Sequence, residues 1–575
     1  MKSGLISAAA LALLAVLPVF AQDNTANPAA DLIIHNGKIY TLEAELPWVS
    51  AVAVRDGKYT YLGGEAGLVS FRGPETREID LAGKMAMPGI NDMHSHPWQG
   101  GLKALYECNF AFLSTPDEIA STLRGCIAVN PDAQWIRGGQ WTSDFFTTHS
   151  MESPKRWLDE ISTEKAIYLE DDSGHHAWFN SKAQELAVIE DDVTDPDGGE
   201  FRRDVNGDIN GIALERATNA FLDAIPESTH AQNMAAISKA LQLANSFGIT
   251  GIAEARTPVP ALAAYVALAQ AGKLTAHTIT YQQTPIGQRN KPMDVAPLVA
   301  LAEGASAPNL HSRFAKFFLD GVPTASRSAV MVEPYLTNED YPESTTGTLM
   351  IEPSILTADL SALDAAGFTV KIHTAGDGAV RIALDAIEKV RESNGASGLR
   401  FELGHAGYIH PDDLPRFVEL NVTADLSPYL WYPRPIIDSI VGAVGERAYR
   451  YFPLKDLIAS GANMAMGSDW PSAAEDMNPW PAIEAMVSRK NPYSENAESL
   501  WPEQAISLEQ ALAIATQGGA MTYRLEHATG SVALGKSADL IVLNHNVFEI
   551  PTSAISDTAP EYTLFAGDIV YQRQH

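Results

Sequence analysis

The chain has 575 residues, 46% of them apolar, and a formal net charge of −31. That length and apolar content suit one large, barrel-sized domain with a smaller satellite. The acidic balance argues against partners such as nucleic acid or an anionic membrane surface and otherwise reports solubility.

The first residues, "MKSGLISAAALALLAVLPVFAQ", carry one lysine and an apolar run from Leu5 to Phe20 before small residues. This reads as a signal peptide over 1–21, cleaved after Ala21, and predicts a periplasmic or secreted protein with no membrane attachment after cleavage. An uncleaved anchor is the alternative, but the run is short for a span. Only Cys108 and Cys126 are present. Export would allow a disulfide between them, and two buried thiols are the other reading.

Next, "DLIIHNGKIYTL" and "VSAVAVRDGKYTYLG" alternate apolar and polar residues around Asn36-Gly37 and Asp56-Gly57, which predicts hairpins. The same texture returns in "GSVALGKSADLIVLNHN" and "EYTLFAGDIVYQ" near the C-terminus. The two ends, 22–83 and 527–575, are therefore expected to form one split β-sandwich.

Between them, 84–526 alternates short apolar runs with amphipathic stretches, the pattern of repeated βα units. The candidate strands are "KMAMPGIND", "AIYLED", "GITGIAEA", "RFAKFFLDG", "FTVKIHT", "RFELGH", "NVTADLS" and "NMAMGSD". The predicted fold class is α/β, a (β/α)8 TIM-like barrel. A doubly wound sheet would call for a glycine-rich phosphate turn after its first strand, and none occurs. "DPDGGEFRRDVNGDINGIALE" (195–215) has two Asn-Gly turns and reads as a hairpin insertion, either a solvated loop or a lid.

Residues able to bind metal end several of these runs: His94 and His96, His373, His405 and Asp469, with Lys316 inside "RFAKFFLDG". Each taken alone reads as a satisfied core or turn residue. Together, four imidazoles and a carboxylate at strand ends suit a Zn-like divalent metal, and barrel active sites lie at those ends. His94 and His96, two apart on one strand, face the same side.

The ordered motifs "PGINDMHSH", "KFFLDG", "KIHTAGDGAV", "ELGHAGYIHPDDL", "GSDWP" and "GSVALGKSADLIVL" resemble the amidohydrolase superfamily, more narrowly the YtcJ-like amidohydrolase family 3 that includes N-substituted formamide deformylase. The resemblance implies a metal-dependent barrel with a split β-sandwich. It further implies that His94 and His96 bind a first metal, that His373 and His405 bind a second, and that Asp469 ligates the first and handles protons. Lys316 stands where a carbamylated lysine would bridge the pair; a salt bridge to Asp320 is its alternative. One or two divalent ions per chain follow, Zn or else Mn, Fe, Co or Ni. Asn91 and Gly378 depart from the residue types usual in the family.

A metal-activated water attacking a carbonyl needs no Ser or Cys nucleophile, and no G-x-S-x-G elbow is present. Asp469 would move the proton to the leaving nitrogen. His175 in "DSGHHAW" is the candidate donor to a substrate carbonyl or oxyanion, and His176 reads as structural. Trp98, Trp141, Trp178, Trp431 and Trp470, all near predicted strand ends, suggest a partly dry pocket for an apolar portion of a small-molecule substrate. The expected function is hydrolysis of a C–N bond in an amide, formamide or cyclic amide. Ester, lactone or phosphoester hydrolysis at the same site is one alternative, and a non-catalytic exported binding or regulatory protein is another. A homo-oligomer is compatible with the sequence.

Overall fold

The computed structural model describes residues 29–142, 145–172, 174–324, 326–339, 341–430, 435–472, 474–494 and 498–574. The signal segment expected at 1–21 and Trp431 lie outside the described residues.

Eight strands form one parallel, nearly closed sheet in chain order: β1 (Ile90–Ser95), β2 (Ile249–Thr257), β3 (His277–Gln283), β4 (Leu310–Phe318), β5 (Thr369–Thr374), β6 (Phe401–His405), β7 (Val422–Leu426) and β8 (Asn463–Met466). Beyond the regular ladders, the Asp469 N–H donates to the His94 carbonyl at 2.6 Å and the His96 N–H to the Trp470 carbonyl at 2.7 Å. These bonds draw the end of β8 onto the end of β1. Gly467 permits the approach, because a Cβ there would lie 2.3 Å from the His94 nitrogen.

Side chains alternate across each strand. Ala253 of β2 joins Met93, Ile279, Tyr281 and Phe314 in the barrel interior, while neighbouring Ile252 packs with Ile237 and Tyr265 in the layer of helices outside. The helix His230–Ser246 in that layer starts with a capping box between Thr229 and Gln232.

Two further sheets pack over a common core that includes Ile34, Val52, Leu540 and Leu564. One is ordered Lys58–Gly63, Ala51–Arg55, Leu32–His35, Arg77–Asp80; the other joins Asp568–Gln572, Pro560–Phe565 and Leu540–Leu543 to Met85–Pro88, Lys38–Tyr40 and Trp48–Val49. Strands from both chain ends thus share one sheet.

Two strand assignments need correction. "AIYLED" (Ala166–Asp171) is not a barrel strand; it lies in a separate six-stranded sheet running from Cys108–Asn109 to the hairpin Gly199–Arg203 and Ile209–Glu215. Its place in the barrel is taken by "HTITYQQ" of β3. Every β3 side chain but Gln283 is buried, yet the strand is rich in polar residues, several of which pair locally. The Thr280 and Ser312 hydroxyls lie 2.8 Å apart, and Gln282 Nε2 donates to the Ser312 carbonyl at 2.8 Å. "KMAMPGIND" is two strands, Met85–Pro88 in the sandwich and Ile90–Ser95 in the barrel.

Hairpin 195–215 is therefore the edge of a sheet inserted after the helix Pro97–Tyr106. Cys108 and Cys126 form a disulfide tying that sheet to the helix Pro116–Val129.

Candidate metal centre

The C-terminal ends of the barrel strands converge on a buried cluster of imidazoles and carboxylates. His94 Nδ1 lies 2.8 Å from Asp425 Oδ2 on β7, so that nitrogen carries the proton and Nε2 is left for the centre. Nε2 is 3.1 Å from Lys316 Nζ and 3.8 Å from Asp469 Oδ1. Asp469 Oδ1 also lies 3.3 Å from His96 Nε2, and Oδ2 is 4.0 Å from His405 Nδ1. His94, His405 and Asp469 each offer a ligand atom, all within 4.8 Å of one another.

His373 stands beside this group, its ring 4.7 Å from that of His405, but its Nε2 donates to the Gly321 carbonyl at 3.0 Å. Lys316 does not make the ion pair with Asp320 held open above: Asp320 accepts the backbone N–H groups of Val330, Ala375 and Gly376. His405 and Asp469 have φ of +67° and +59°, conformations that side chains other than glycine rarely take and that recur at functional sites.

Burial, and then the charge of Lys316, holds the His94 imidazole well below its usual pKa. Burial and His373 do the same to His405, and burial with Lys316 lowers His373 to about 3. These rings are neutral, the form that ligates metal. Burial also disfavours charge on His96, yet Asp469 and Glu254 outweigh it and raise its pKa. Burial and the charge of Lys371 bring Lys316 down to about 7. Buried neutral imidazoles together with a carboxylate are a donor set that fits a Zn-like divalent ion.

Beneath the cluster lies a buried layer that the sequence reading missed. Lys371 on β5 donates to Asp425 Oδ2 and, at 2.7 Å, to the Met93 carbonyl, and it lies 3.1 Å from Glu402 Oε2 on β6. The signal was available: Lys371 precedes His373 by two residues and so shares its face. Asp92 likewise precedes His94 by two and accepts from the Ser468 hydroxyl at 2.6 Å, linking β1 to the loop that carries Asp469. Glu254 of β2 sits 3.6 Å from His96 Nδ1.

The inserted sheet brings His175 over this region. Its Nδ1 is 2.8 Å from Glu215 Oε2, and the Ser328 hydroxyl donates to Glu215 Oε1 at 3.0 Å. Burial opposes the imidazolium, but Glu215, with Asp171 and Asp469, raises its pKa to about 9. Of the flagged tryptophans, Trp141 lines a cavity in the inserted sheet, whereas Trp178 is fully buried and donates to the Pro154 carbonyl at 2.9 Å. Trp470 packs on Gly100, and Trp98 donates to Asn233 Oδ1 at 2.8 Å. Asn91 points away from the cluster and donates to the Thr516 carbonyl at 2.6 Å, while Gly378 leaves room for the backbone at Val330 and Met331.

Residues 77–571 match the amidohydrolase family. This chain belongs to that family. The amidohydrolase is 30% identical over 535 residues to Protein LONG AFTER FAR-RED 3 of Arabidopsis thaliana, covering 90% of this chain and 88% of that protein. It is 26% identical over 565 residues to N-substituted formamide deformylase of Arthrobacter pascens, covering 94% and 98% respectively. A solved structure of an uncharacterized metal-dependent hydrolase from Pyrococcus horikoshii OT3 shares the fold, with a TM-score of 0.70 at 24% identity over 91% of this chain and 99% of that one. Membership makes this amidohydrolase a metal-dependent hydrolase built on a barrel, as the ordered motifs implied.

Proposed function

We propose that this amidohydrolase is an exported enzyme that hydrolyses a C–N bond of an amide, formamide or cyclic amide in a small, partly apolar substrate. The observation that carries the reading is the convergence of His94, His405 and Asp469 within 4.8 Å at the barrel mouth, beside His96 and Lys316. Similarity to N-substituted formamide deformylase supports the C–N choice. The disulfide between Cys108 and Cys126 supports export, since such bonds persist in oxidising compartments.

In this proposal His94, His96, His405 and Asp469 would hold a divalent ion, zinc by preference, and His373 with a carbamylated Lys316 would complete a second position. Such an ion supplies a water ionised near neutral pH and a polarised carbonyl. Asp469 would take the proton of the attacking water and pass it to the departing nitrogen. His175, kept protonated by Glu215, would donate to the carbonyl oxygen as it gains negative charge.

The test compares kcat/KM for matched formamides, amides, esters and lactones in the wild type and in His94→Ala. Preference for the amide series, lost in His94→Ala, is expected. Higher kcat/KM for the esters or lactones would reject the C–N assignment, and unchanged turnover in His94→Ala would reject the metal-centred mechanism. No turnover and no metal uptake would favour the non-catalytic binding protein.

A further inference from the structure

We propose that the cavity between the inserted sheet and the segment following β4 is the subsite for the non-reacting end of the substrate, and that this end is an apolar, ring-sized group terminating in a carboxylate. This rests on the hydrolase reading above and names the substrate class for it. The cavity measures about 720 Å³, within the range of small-molecule sites. Trp141, Phe146, Met151, Ile212 and Leu214 give it an apolar wall, and Ser326 and Tyr341 of the segment after β4 also line it. None of the proposed metal ligands lines it, so it is a space separate from the centre.

Its polar end is His176, which is only 8% exposed. Nδ1 is held 2.9 Å from Asp171 Oδ2, while Nε2, on the opposite edge of the ring, is buried with no hydrogen-bond partner among the described residues. Native folds rarely leave a buried polar atom unanswered, and ordered water or a ligand supplies the missing partner. Burial disfavours charge on this ring, but Asp171 outweighs it and raises the pKa, so Nε2 keeps its proton over a wider pH range. An oxygen acceptor is the complementary group.

The charge around the cavity points to an anionic acceptor. The whole chain has 71 acidic residues against 40 basic ones. The lining has Arg156, Arg202 and Arg203 against Glu152 and Asp204. Arg203 is committed to the backbone carbonyls of Asp191, Val193 and Gly207. Arg202 and Arg156 instead make exposed pairs, at 3.3 Å to Glu200 and 3.9 Å to Glu152, which exchange readily for a carboxylate ligand. Position links the cavity to the chemistry: His175 is the neighbour of His176, and the Ser326 hydroxyl is 3.1 Å from that of Ser328, the donor to Glu215. A substrate seated in the cavity would present its reacting end at His175.

The test is isothermal titration of the mature protein with 4-phenylbutanoate, 4-phenylbutan-1-ol and butanoate. The aryl acid is expected to bind about tenfold or more tightly than either truncated probe. His176→Gln and Arg202→Gln are each expected to weaken the acid about fivefold or more and to leave the alcohol within about twofold. Equal affinity for acid and alcohol, acid binding unmoved by both variants, or no binding of any probe would each overturn the proposal. Arg202 is well exposed, so its variant remains informative if His176→Gln does not fold. Because turnover is not read, a protein that binds the acid but cleaves no amide keeps this subsite and loses the reaction.

Discussion

His94 Nδ1 and Asp425 Oδ2 lie 2.8 Å apart in the floor of the candidate metal centre, joining the first and seventh barrel strands. The contact fixes the tautomer of His94 and turns Nε2 toward Asp469 and Lys316. Lys371 bonds to the same carboxylate oxygen, so Asp425 is itself held in place. The centre is oriented from below by groups outside the proposed ligand set.

Asp425→Asn should therefore weaken metal retention about 10- to 100-fold while leaving every proposed ligand in place, as loss of a carboxylate behind a ligating imidazole does elsewhere. Competition with a chelator measures it. Unaltered retention would mean that the packing around His94, and not Asp425, sets its orientation.

In the proposed centre, Lys316 would set how many ions the site holds, since its Nζ lies 3.1 Å from His94 Nε2. Elemental analysis of the purified mature protein should find about two divalent ions per chain, falling to about one in Lys316→Ala. One ion in the wild type, unchanged by the substitution, would keep the hydrolase and remove the carbamate bridge.

Five of the six proposed ligands, His94, His96, His373, His405 and Asp469, stood out in the sequence because each ends an apolar run, and strand ends are where a barrel builds its site; the structure brings His94, His405 and Asp469 together. The floor beneath them was hidden, since Lys371, Glu402 and Asp425 lie within runs that read simply as strands. A lysine and two acids inside neighbouring apolar runs are a buried ion network in outline, and mutual neutralisation is what allows them there. β3 was missed for a related reason: Thr280 and Gln282 Nε2 are buried against Ser312 and Thr278 against the Ala276 carbonyl, so the strand is buried without an apolar pattern. "AIYLED" was misplaced because a parallel strand buried in a different sheet carries the same run as a barrel strand. The two-residue spacing of Asp92 from His94 was readable and shows that period-two counting should extend past the obvious ligands.

Asp539 couples the sandwich to the barrel. It accepts from His277 Nε2 on β3 at 2.9 Å, from the Thr529 and Ser537 hydroxyls at 2.8 and 2.6 Å, and from the Ala566 N–H at 3.0 Å. Burial opposes its ionisation, yet these donors, His277 foremost, hold its pKa below the usual value. A depressed carboxylate contributes stability that is present above the unfolded-state pKa and is lost as pH falls through the folded one. Asp539→Asn should cost about 3 kcal/mol at pH 7, and the gap to wild type should close below about pH 4. Denaturant unfolding at both pH values reads this; a gap independent of pH would assign the loss to packing alone.

In the proposed mechanism Glu215 would act on catalysis through His175. Burial alone would leave that imidazole neutral, and the Glu215 carboxylate at 2.8 Å is the first of the charges that raise its pKa to about 9. If the imidazolium is the donor to the developing oxyanion, kcat/KM should fall as pH rises through the His175 pKa. Glu215→Gln keeps a hydrogen-bond acceptor near Nδ1 but removes the charge, so the His175 pKa drops and the alkaline limb moves to lower pH. His175→Gln should lower kcat/KM about 100-fold and erase the limb. A pH–rate profile for each protein separates a positioning role from a merely structural one: loss of fold would depress the whole curve, whereas the charge effect displaces one limb. An alkaline limb that stays put in Glu215→Gln would assign that ionisation to another group and leave His175 without its proposed role.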